Sequence, residues 1–147
     1  MSGLNKDGVS HIAVIGAGAW GTALAQGWAL EGKQITLLAR DSAAADALND
    51  TRENRRYLPG IPLSSRIAIT GDPAGLKEAS TIALVIPAQA LRSVLNELSD
   101  RIPSDATLIL CAKGIERETL ASPVEIVEEL LPGRFIAVLS GPSLAPA

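Results

Sequence analysis

The chain has few of the residues that build disulfides, metal centres or aromatic cores. Among its 147 residues it has one cysteine, Cys111, and one histidine, His11. A single cysteine excludes an internal disulfide, and a single histidine excludes a histidine-based metal cluster. Aromatic residues make up 3% of the chain, although 47% of it is hydrophobic. The core must therefore consist of alanine, valine, isoleucine and leucine, which suits helices packed closely on a parallel sheet.

Long apolar runs and an excess of positive charge are also missing. Because no run of about 18 apolar residues occurs, we expect no insertion into a membrane. The first residues lack the apolar stretch of a signal peptide, so we expect a cytoplasmic protein. The chain has 13 basic and 16 acidic residues and a net charge of −3. This balance argues against nucleic-acid binding, which depends on neutralising phosphates.

The most informative feature present is a glycine-rich turn between an apolar run and a helix-like segment. Residues 11–15 are short, continuous and rich in β-branched side chains, as in a buried parallel strand. Gly16, Gly18 and Gly21 follow with the spacing GxGxxG. Such glycines allow a tight turn, close approach of backbone to phosphate, and close packing of helix on strand. The pattern predicts a dinucleotide pyrophosphate at the helix N-terminus, the alternative being a plain tight turn.

Strand-like and helix-like patterns alternate along the rest of the chain. Further strands are predicted at 34–39, 66–70, 81–86, 107–111 and 135–139, and helices at 20–31, 43–49, 72–79, 89–98 and 123–131. This alternation predicts the α/β class, with a Rossmann-type doubly wound, mostly parallel sheet and helices on both faces. We expect one dinucleotide-binding domain over residues 1–147. The prolines of segment 57–62 exclude a regular helix or a central strand there.

The residue at the end of the second predicted strand bears on the choice of cofactor. NAD-selective folds usually place an acidic residue there to hold the ribose 2′-hydroxyl. This chain has Arg40 instead, followed by Asp41. A guanidinium can pair with a 2′-phosphate, so Arg40 favours NADPH over NADH. Alternatively, Asp41 holds the hydroxyl or only caps the next helix, and Arg40 points to solvent.

Five short segments together resemble one known family. They are GAGAWGTALA (16–25), NRRYLPGI (54–61), PAQALR (87–92), CAKGIE (111–116) and LSGPSLA (139–145). In this order they resemble the N-terminal domain of bacterial NAD(P)-dependent sn-glycerol-3-phosphate dehydrogenase, over essentially the whole chain beyond the first ten residues. The resemblance implies an oxidoreductase of glycerophospholipid metabolism that interconverts dihydroxyacetone phosphate and sn-glycerol 3-phosphate with NAD or NADP.

The resemblance also implies roles for individual residues. Cofactor contacts fall on the glycine turn and on Ala19, Trp20, Arg40, Pro87, Lys113 and Ala145, and substrate contacts on Lys113, Gly141 and Ser143. The family's general acid/base is a lysine in a helical C-terminal domain, which would lie beyond residue 147. We therefore expect this chain to be the cofactor-binding half, without a catalytic residue of its own and inactive alone.

Other interpretations compete with this one. Lys113 could be only a solvated charge, and Trp20 could be core filling. Cys111 is better explained as a small apolar residue than as a nucleophile, because no histidine is present to activate it. The whole chain could belong to a 6-phosphogluconate or ketopantoate reductase relative, or to a non-catalytic nucleotide-sensing domain. Because loss of a second domain would expose apolar surface, we also expect self-association, for example as a homodimer.

Overall fold

The structure is a computed structural model and describes residues 10–140. The predicted contacts at Gly141, Ser143 and Ala145 lie outside the described residues. The strands are β1 (His11–Ile15), β2 (Gln34–Leu38), β3 (Glu53–Asn54), β4 (Leu58–Pro62), β5 (Ile67–Thr70), β6 (Thr81–Leu84), β7 (Thr107–Leu110) and β8 (Ile136–Val138). The α-helices are α1 (Ala19–Leu30), α2 (Ser42–Thr51), α3 (Ala88–Leu98) and α4 (Pro123–Leu130). Short 3-10 helices cover Pro73–Leu76 and Ser99–Arg101.

Six of the strands form one parallel sheet. Its order is β5-β2-β1-β6-β7-β8, and every neighbouring pair is parallel. The chain builds outward from β1 to β5, then crosses back to place β6 on the other side of β1. The crevice at such a reversal of strand order, outside the carboxyl ends of the strands, is where open α/β sheets bind ligands. The predicted Rossmann-type sheet is confirmed.

Hydrophobic cores lie on both faces of the sheet. Along β1, Ile12 and Val14 join the core beneath α1 and α2, whereas Ala13 and Ile15 join the core beneath α3 and α4. The buried hydrophobic residues of the described chain are alanine, valine, isoleucine, leucine and the single cysteine. The prediction of a core without aromatic residues is therefore confirmed.

Two segments differ from the sequence-based prediction. The proline-containing segment forms β4, which pairs antiparallel with the two-residue β3 in a separate hairpin. This agrees with the exclusion of a central strand, but the hairpin itself was not predicted. The helix predicted at 72–79 is only the 3-10 turn Pro73–Leu76. Asp72 caps it, but Gly75 is a poor helix former in its middle.

Candidate functional site at the carboxyl ends of the strands

Two of the three motif glycines are required by close backbone packing. Gly16 has a φ of +115°, and a Cβ atom added there would lie 2.2 Å from the carbonyl oxygen of Val85. A Cβ atom at Gly21 would lie 1.9 Å from the carbonyl oxygen of Gly16. Side chains at either position would collide with backbone that cannot give way. These two glycines therefore hold β1, β6 and the start of α1 in contact.

Gly18 has a different environment. It is the N-cap of α1 with φ −79° and ψ −168°, angles that any residue can adopt, and a Cβ atom added there meets nothing within 4 Å. The space in front of it is open. The N–H groups of Ala19, Trp20 and Gly21, in the first turn, have no partners within the helix. Open space, unpaired N–H donors and the positive end of the helix dipole fit a pyrophosphate.

A buried asparagine fastens the glycine turn to the β3–β4 hairpin. The side-chain amide of Asn54 donates to the carbonyl oxygen of Ala17 at 3.0 Å and to Oγ1 of Thr22 at 2.8 Å. Its Oδ1 accepts from the backbone N–H of Tyr57 at 3.3 Å. Asn54 and Thr22 are both buried. This one side chain therefore fixes the turn, the first part of α1 and the hairpin relative to one another.

The hairpin and α2 enclose a cavity of about 550 Å³ beside the glycine turn. One side is apolar and is formed by Ala39, Ala44, Ala47 and Leu48. The remaining lining residues belong to the glycine turn, the end of β2, the end of α2 and the hairpin: Ala17, Gly18, Arg40, Thr51, Glu53, Asn54, Arg55, Arg56 and Tyr57. An apolar pocket with polar groups at its rim is suited to a planar base and its sugar.

Arg40 stands at the rim of this cavity and is 90% exposed. Its Nε donates to Oδ2 of Asp41 at 3.3 Å, while Oδ1 of Asp41 accepts from the backbone N–H of Ala44 at 2.8 Å. The helix-capping bond from Ala44, followed by the bond from Arg40, lowers the pKa of Asp41. Asp41 thus caps α2, as one alternative in the sequence analysis expected. Arg40 keeps most of its guanidinium in solvent at the cavity mouth.

Pro87 and Lys113 lie at the ends of neighbouring strands on the other half of the sheet. Pro87 follows β6 and is the N-cap of α3, and Lys113 follows β7. Both residues are exposed. Gly114, next to the lysine, has a φ of +97° and turns the chain away from the strand direction. The structure therefore places both residues at the predicted edge of the sheet.

The segment that carries Lys113 is bonded to α3. Nε2 of Gln89 donates to the carbonyl oxygen of Ile115 at 2.7 Å, and the backbone N–H of Arg117 donates to Oε1 of Gln89 at 3.1 Å. One turn further along α3, Nε of Arg92 donates to both carboxylate oxygens of Glu116 at 3.0 and 3.1 Å.

Glu116 is a buried carboxylate with two side-chain partners. Besides the bond from Arg92, it accepts a short hydrogen bond from the Thr119 hydroxyl. These bonds, Arg92 first, lower the pKa of Glu116. The two carboxylates of Glu116 and Glu129 raise the pKa of Arg92.

Other candidates take structural roles or fall away. Cys111 is buried, and burial raises the pKa of its thiol, which disfavours a nucleophilic thiolate. His11 bonds to Oγ1 of Thr36 at 2.8 Å, and burial lowers its pKa. Trp20 is 54% exposed, so it does not fill the core. In residues 10–140 no cluster of three or more metal-ligating side chains forms. No helix in this range is long and apolar enough to cross a bilayer.

The structure brings Gly16, Gly18, Ala19, Trp20 and Gly21 together in one turn, with Arg40 beside it and Pro87 and Lys113 across the switch point. Sequence reasoning missed Asn54, Gln89, Arg92 and Glu116. All four fall within the short segments that carried the family resemblance. Their place in those segments could have marked these residues as candidates. Their positions in the sequence do not, however, indicate which residues they bond to.

Comparison with known proteins identifies the family. Residues 11–146 match the family described as the N-terminus of NAD-dependent glycerol-3-phosphate dehydrogenase. The chain belongs to this family. A glycerol-3-phosphate dehydrogenase [NAD(P)+] of Methylobacterium radiotolerans is 49% identical over 135 residues, covering 91% of this chain and 41% of the relative. The chain thus spans about two fifths of the length of the curated relatives it matches.

Solved structures agree with the family assignment. The crystal structure of glycerol-3-phosphate dehydrogenase from Coxiella burnetii matches this chain with a TM-score of 0.84 and 32% identity, over 91% of this chain and 41% of that one. A ketopantoate reductase from Ralstonia eutropha matches at a TM-score of 0.62 and 17% identity, over 87% of this chain and 39% of that one. The latter shares the fold alone. The alternative of a ketopantoate reductase relative is therefore weaker than the family found.

Proposed function

We propose that this chain is the cofactor-binding half of an oxidoreductase that interconverts dihydroxyacetone phosphate and sn-glycerol 3-phosphate with NAD(P)H. The observation that carries the proposal is the start of α1. There Gly18 faces open space and three backbone N–H groups lack helical partners, in a chain of the glycerol-3-phosphate dehydrogenase family. This arrangement supports binding of a dinucleotide through its pyrophosphate.

Each part of the described site has a task in this proposal. The N–H groups of Ala19, Trp20 and Gly21 hold the pyrophosphate, and the cavity beside Arg40 takes the adenosine. When bound, the nicotinamide supplies or accepts a hydride. Lys113 places an ammonium at the end of β7, where it can pair with a phosphate or stabilise negative charge on a carbonyl oxygen. By family resemblance, Gly141 and Ser143 add substrate contacts, and Ala145 a further cofactor contact.

Reduction of a carbonyl also needs a positioned proton donor. By family resemblance, a lysine of a C-terminal domain donates this proton, so we expect residues 1–147 on their own to bind dinucleotide without turning substrate over. The expected result is NADPH binding with no oxidation of NADPH when dihydroxyacetone phosphate is added. The absorbance of NADPH at saturating substrate measures this, and substantial turnover by the purified chain contradicts it.

Within this proposal NADPH is preferred to NADH. Three arginines, Arg40, Arg55 and Arg56, line the cavity that would take the adenosine. Arg55 pairs with Glu53 at 3.4 Å, and Arg56 stacks on the Tyr57 ring with its guanidinium carbon 5.1 Å from the ring centre. Arg40 follows β2, where the ribose 2′ position falls in this fold. Its exposed guanidinium can pair with a 2′-phosphate at little cost, since the bond to Asp41 is a long surface contact.

Titration calorimetry with both cofactors tests this preference. Arg40→Ala is expected to weaken NADPH binding roughly tenfold and NADH binding by about twofold or less, because only NADPH carries the 2′-phosphate. Arg66→Ala, an exposed arginine before β5 at the opposite end of the strands, is the matched control and is expected to change neither. Equal losses for both cofactors in Arg40→Ala would contradict a contact between Arg40 and the 2′-phosphate, and would point to Asp41 or to general misfolding.

We also propose that the protein is cytoplasmic and that it associates as a homodimer. β8 is an edge strand of the sheet. Phe135, just before this strand, is 73% exposed, and Val138, within it, is 60% exposed. Exposed apolar side chains on a sheet edge favour association. Sedimentation velocity of the parent and of Val138→Lys is expected to show a dimer only in the parent. A parent that stays monomeric at high concentration contradicts this part.

A further inference from the structure

Outside the dinucleotide cradle, hydrogen bonds join α3 to residues 115–119. They join segments that are 26 or 28 residues apart in sequence for Gln89, and 24 apart for Arg92. Gln89 uses its amide in both directions, donating to one backbone carbonyl and accepting from one backbone N–H. An amide that is exposed and still holds two backbone groups of a loop constrains the path of that loop.

The bonded residues closely follow two predicted cofactor contacts in the sequence. Gln89 is two residues beyond Pro87, and Ile115 is two residues beyond Lys113. β6 and β7 are neighbours in the sheet, so Pro87 and Lys113 follow adjacent strand ends. The connection from Lys113 to Ile115 passes through Gly114, which has a φ of +97°. Glycine populates positive and negative φ about equally, so Gly114 alone does not fix the path of the loop, and the bonds from α3 help to fix it.

We propose that Gln89 is a positioning residue, which holds the Lys113 segment so that the lysine ammonium reaches the bound dinucleotide, with the Arg92–Glu116 pair as the second anchor. Glu116 is suited to this because its buried carboxylate is held by Arg92 while its backbone accepts from Leu120 and donates to Ala121. The proposal rests on the proposed function, since it requires that Lys113 contacts the cofactor.

A double-mutant cycle tests the proposal by calorimetric titration with NADPH. The variants are Gln89→Ala, Lys113→Ala and the double variant. Alanine preserves the first turn of α3, so the helix is expected to remain. Gln89→Ala is expected to weaken NADPH binding by roughly three- to tenfold, and Lys113→Ala by about tenfold, on the scale of a charge-assisted contact. The double variant is expected to bind no more weakly than Lys113→Ala alone, because Gln89 acts only through the lysine.

The matched control is Asn96→Ala, an exposed residue two turns further along the same helix, which is expected to bind NADPH as the parent does. Urea unfolding of every variant separates a loss of stability from a loss of positioning, since a purely structural role shifts the unfolding midpoint without coupling to Lys113. Additive losses in the double variant, an unchanged Gln89→Ala, or an unchanged Lys113→Ala each overturn the positioning role while dinucleotide binding stands. A parent that binds no dinucleotide overturns the proposed function itself.

Discussion

The two halves of the sheet build their parts of the candidate site by different means. On the β1–β2 half, the glycine turn is shaped by close backbone packing. A Cβ atom added at Gly16 would lie 2.2 Å from the carbonyl oxygen of Val85, which follows β6, and one added at Gly21 would lie 1.9 Å from the carbonyl oxygen of Gly16. On the β6–β7 half, the Lys113 segment is shaped by side chains of α3 that bond to a distant loop. In the glycine turn, steric overlap excludes other backbone conformations. In the Lys113 segment, hydrogen bonds favour one backbone conformation. Overlap is the more rigid and the less tolerant of substitution.

The glycine turn is where substitution should have the largest effect. Gly21→Ala is expected to lower the free energy of unfolding by roughly 3 kcal/mol, because its Cβ overlaps the Gly16 carbonyl and α1 must move off β1. Urea denaturation measures this. Gly27→Ala is the matched control on the same helix, since its Cβ meets nothing within 4 Å. It is expected to raise stability by about 0.5–1 kcal/mol, the usual gain from glycine to alanine inside a helix.

The asparagine between the turn and the hairpin ranks next. Asn54→Ala removes the donor to Ala17 and Thr22 and is expected to cost about 2 kcal/mol of unfolding free energy. Asn54→Asp keeps the shape but replaces the amide donor by an oxygen facing the Ala17 carbonyl, and should lose at least as much. Asn96→Ala at an exposed site should stay within about 0.5 kcal/mol of the parent. If Asn54→Asp is as stable as the parent, the contact with the turn is not what holds the hairpin.

We expect the side-chain network on the other half to affect how stability depends on pH, rather than to produce a large loss of stability on substitution. Bonds from Arg92 and Thr119 hold the pKa of Glu116 below its usual value. The Glu116 carboxylate therefore binds a proton less readily in the folded chain than in the unfolded chain. The resulting stabilisation is present above the ordinary glutamate pKa of about 4.3 and is lost as pH falls through the lower folded value.

Glu116→Gln removes this titration and nearly preserves the shape of the side chain. Between pH 7 and pH 4, the free energy of unfolding is therefore expected to fall less in Glu116→Gln than in the parent. Asp41 and Glu125 also have lowered pKa values, but they titrate in both chains and cancel in the comparison. Equal falls in both chains would show that the Arg92–Glu116 pair adds nothing to stability.

This contrast also explains what the sequence could and could not predict. Gly16 and Gly21 were predictable because close backbone contact permits only glycine at these positions, which leaves a spacing that can be seen in one sequence. The parallel sheet was predictable from alternating apolar and helical patterns. The two-residue strand β3 was not, because the hairpin is too short and too rich in proline and charge to show a period.

Long-range partners were beyond the sequence for a physical reason. Asn54 bonds to residues 37 and 32 positions earlier, and Gln89 to residues 26 and 28 positions later. Nothing local distinguishes such an asparagine or glutamine from a solvated one. The place of Arg40 after β2 was predictable, but its bond to the neighbouring Asp41 was not.

Pyrophosphate binding at the start of α1 is the central claim, and Gly18 tests it most directly. Because a Cβ at Gly18 meets only open space, Gly18→Ala should fold with a stability within about 1 kcal/mol of the parent, the cost of alanine at an N-cap. The methyl group of the alanine would occupy the space in which we propose that the phosphates bind. Calorimetric titration of Gly18→Ala and of the control Gly27→Ala with NADPH is expected to show at least a roughly tenfold loss in the first and none in the second. Equal affinity in the two variants, both folded, would contradict the account.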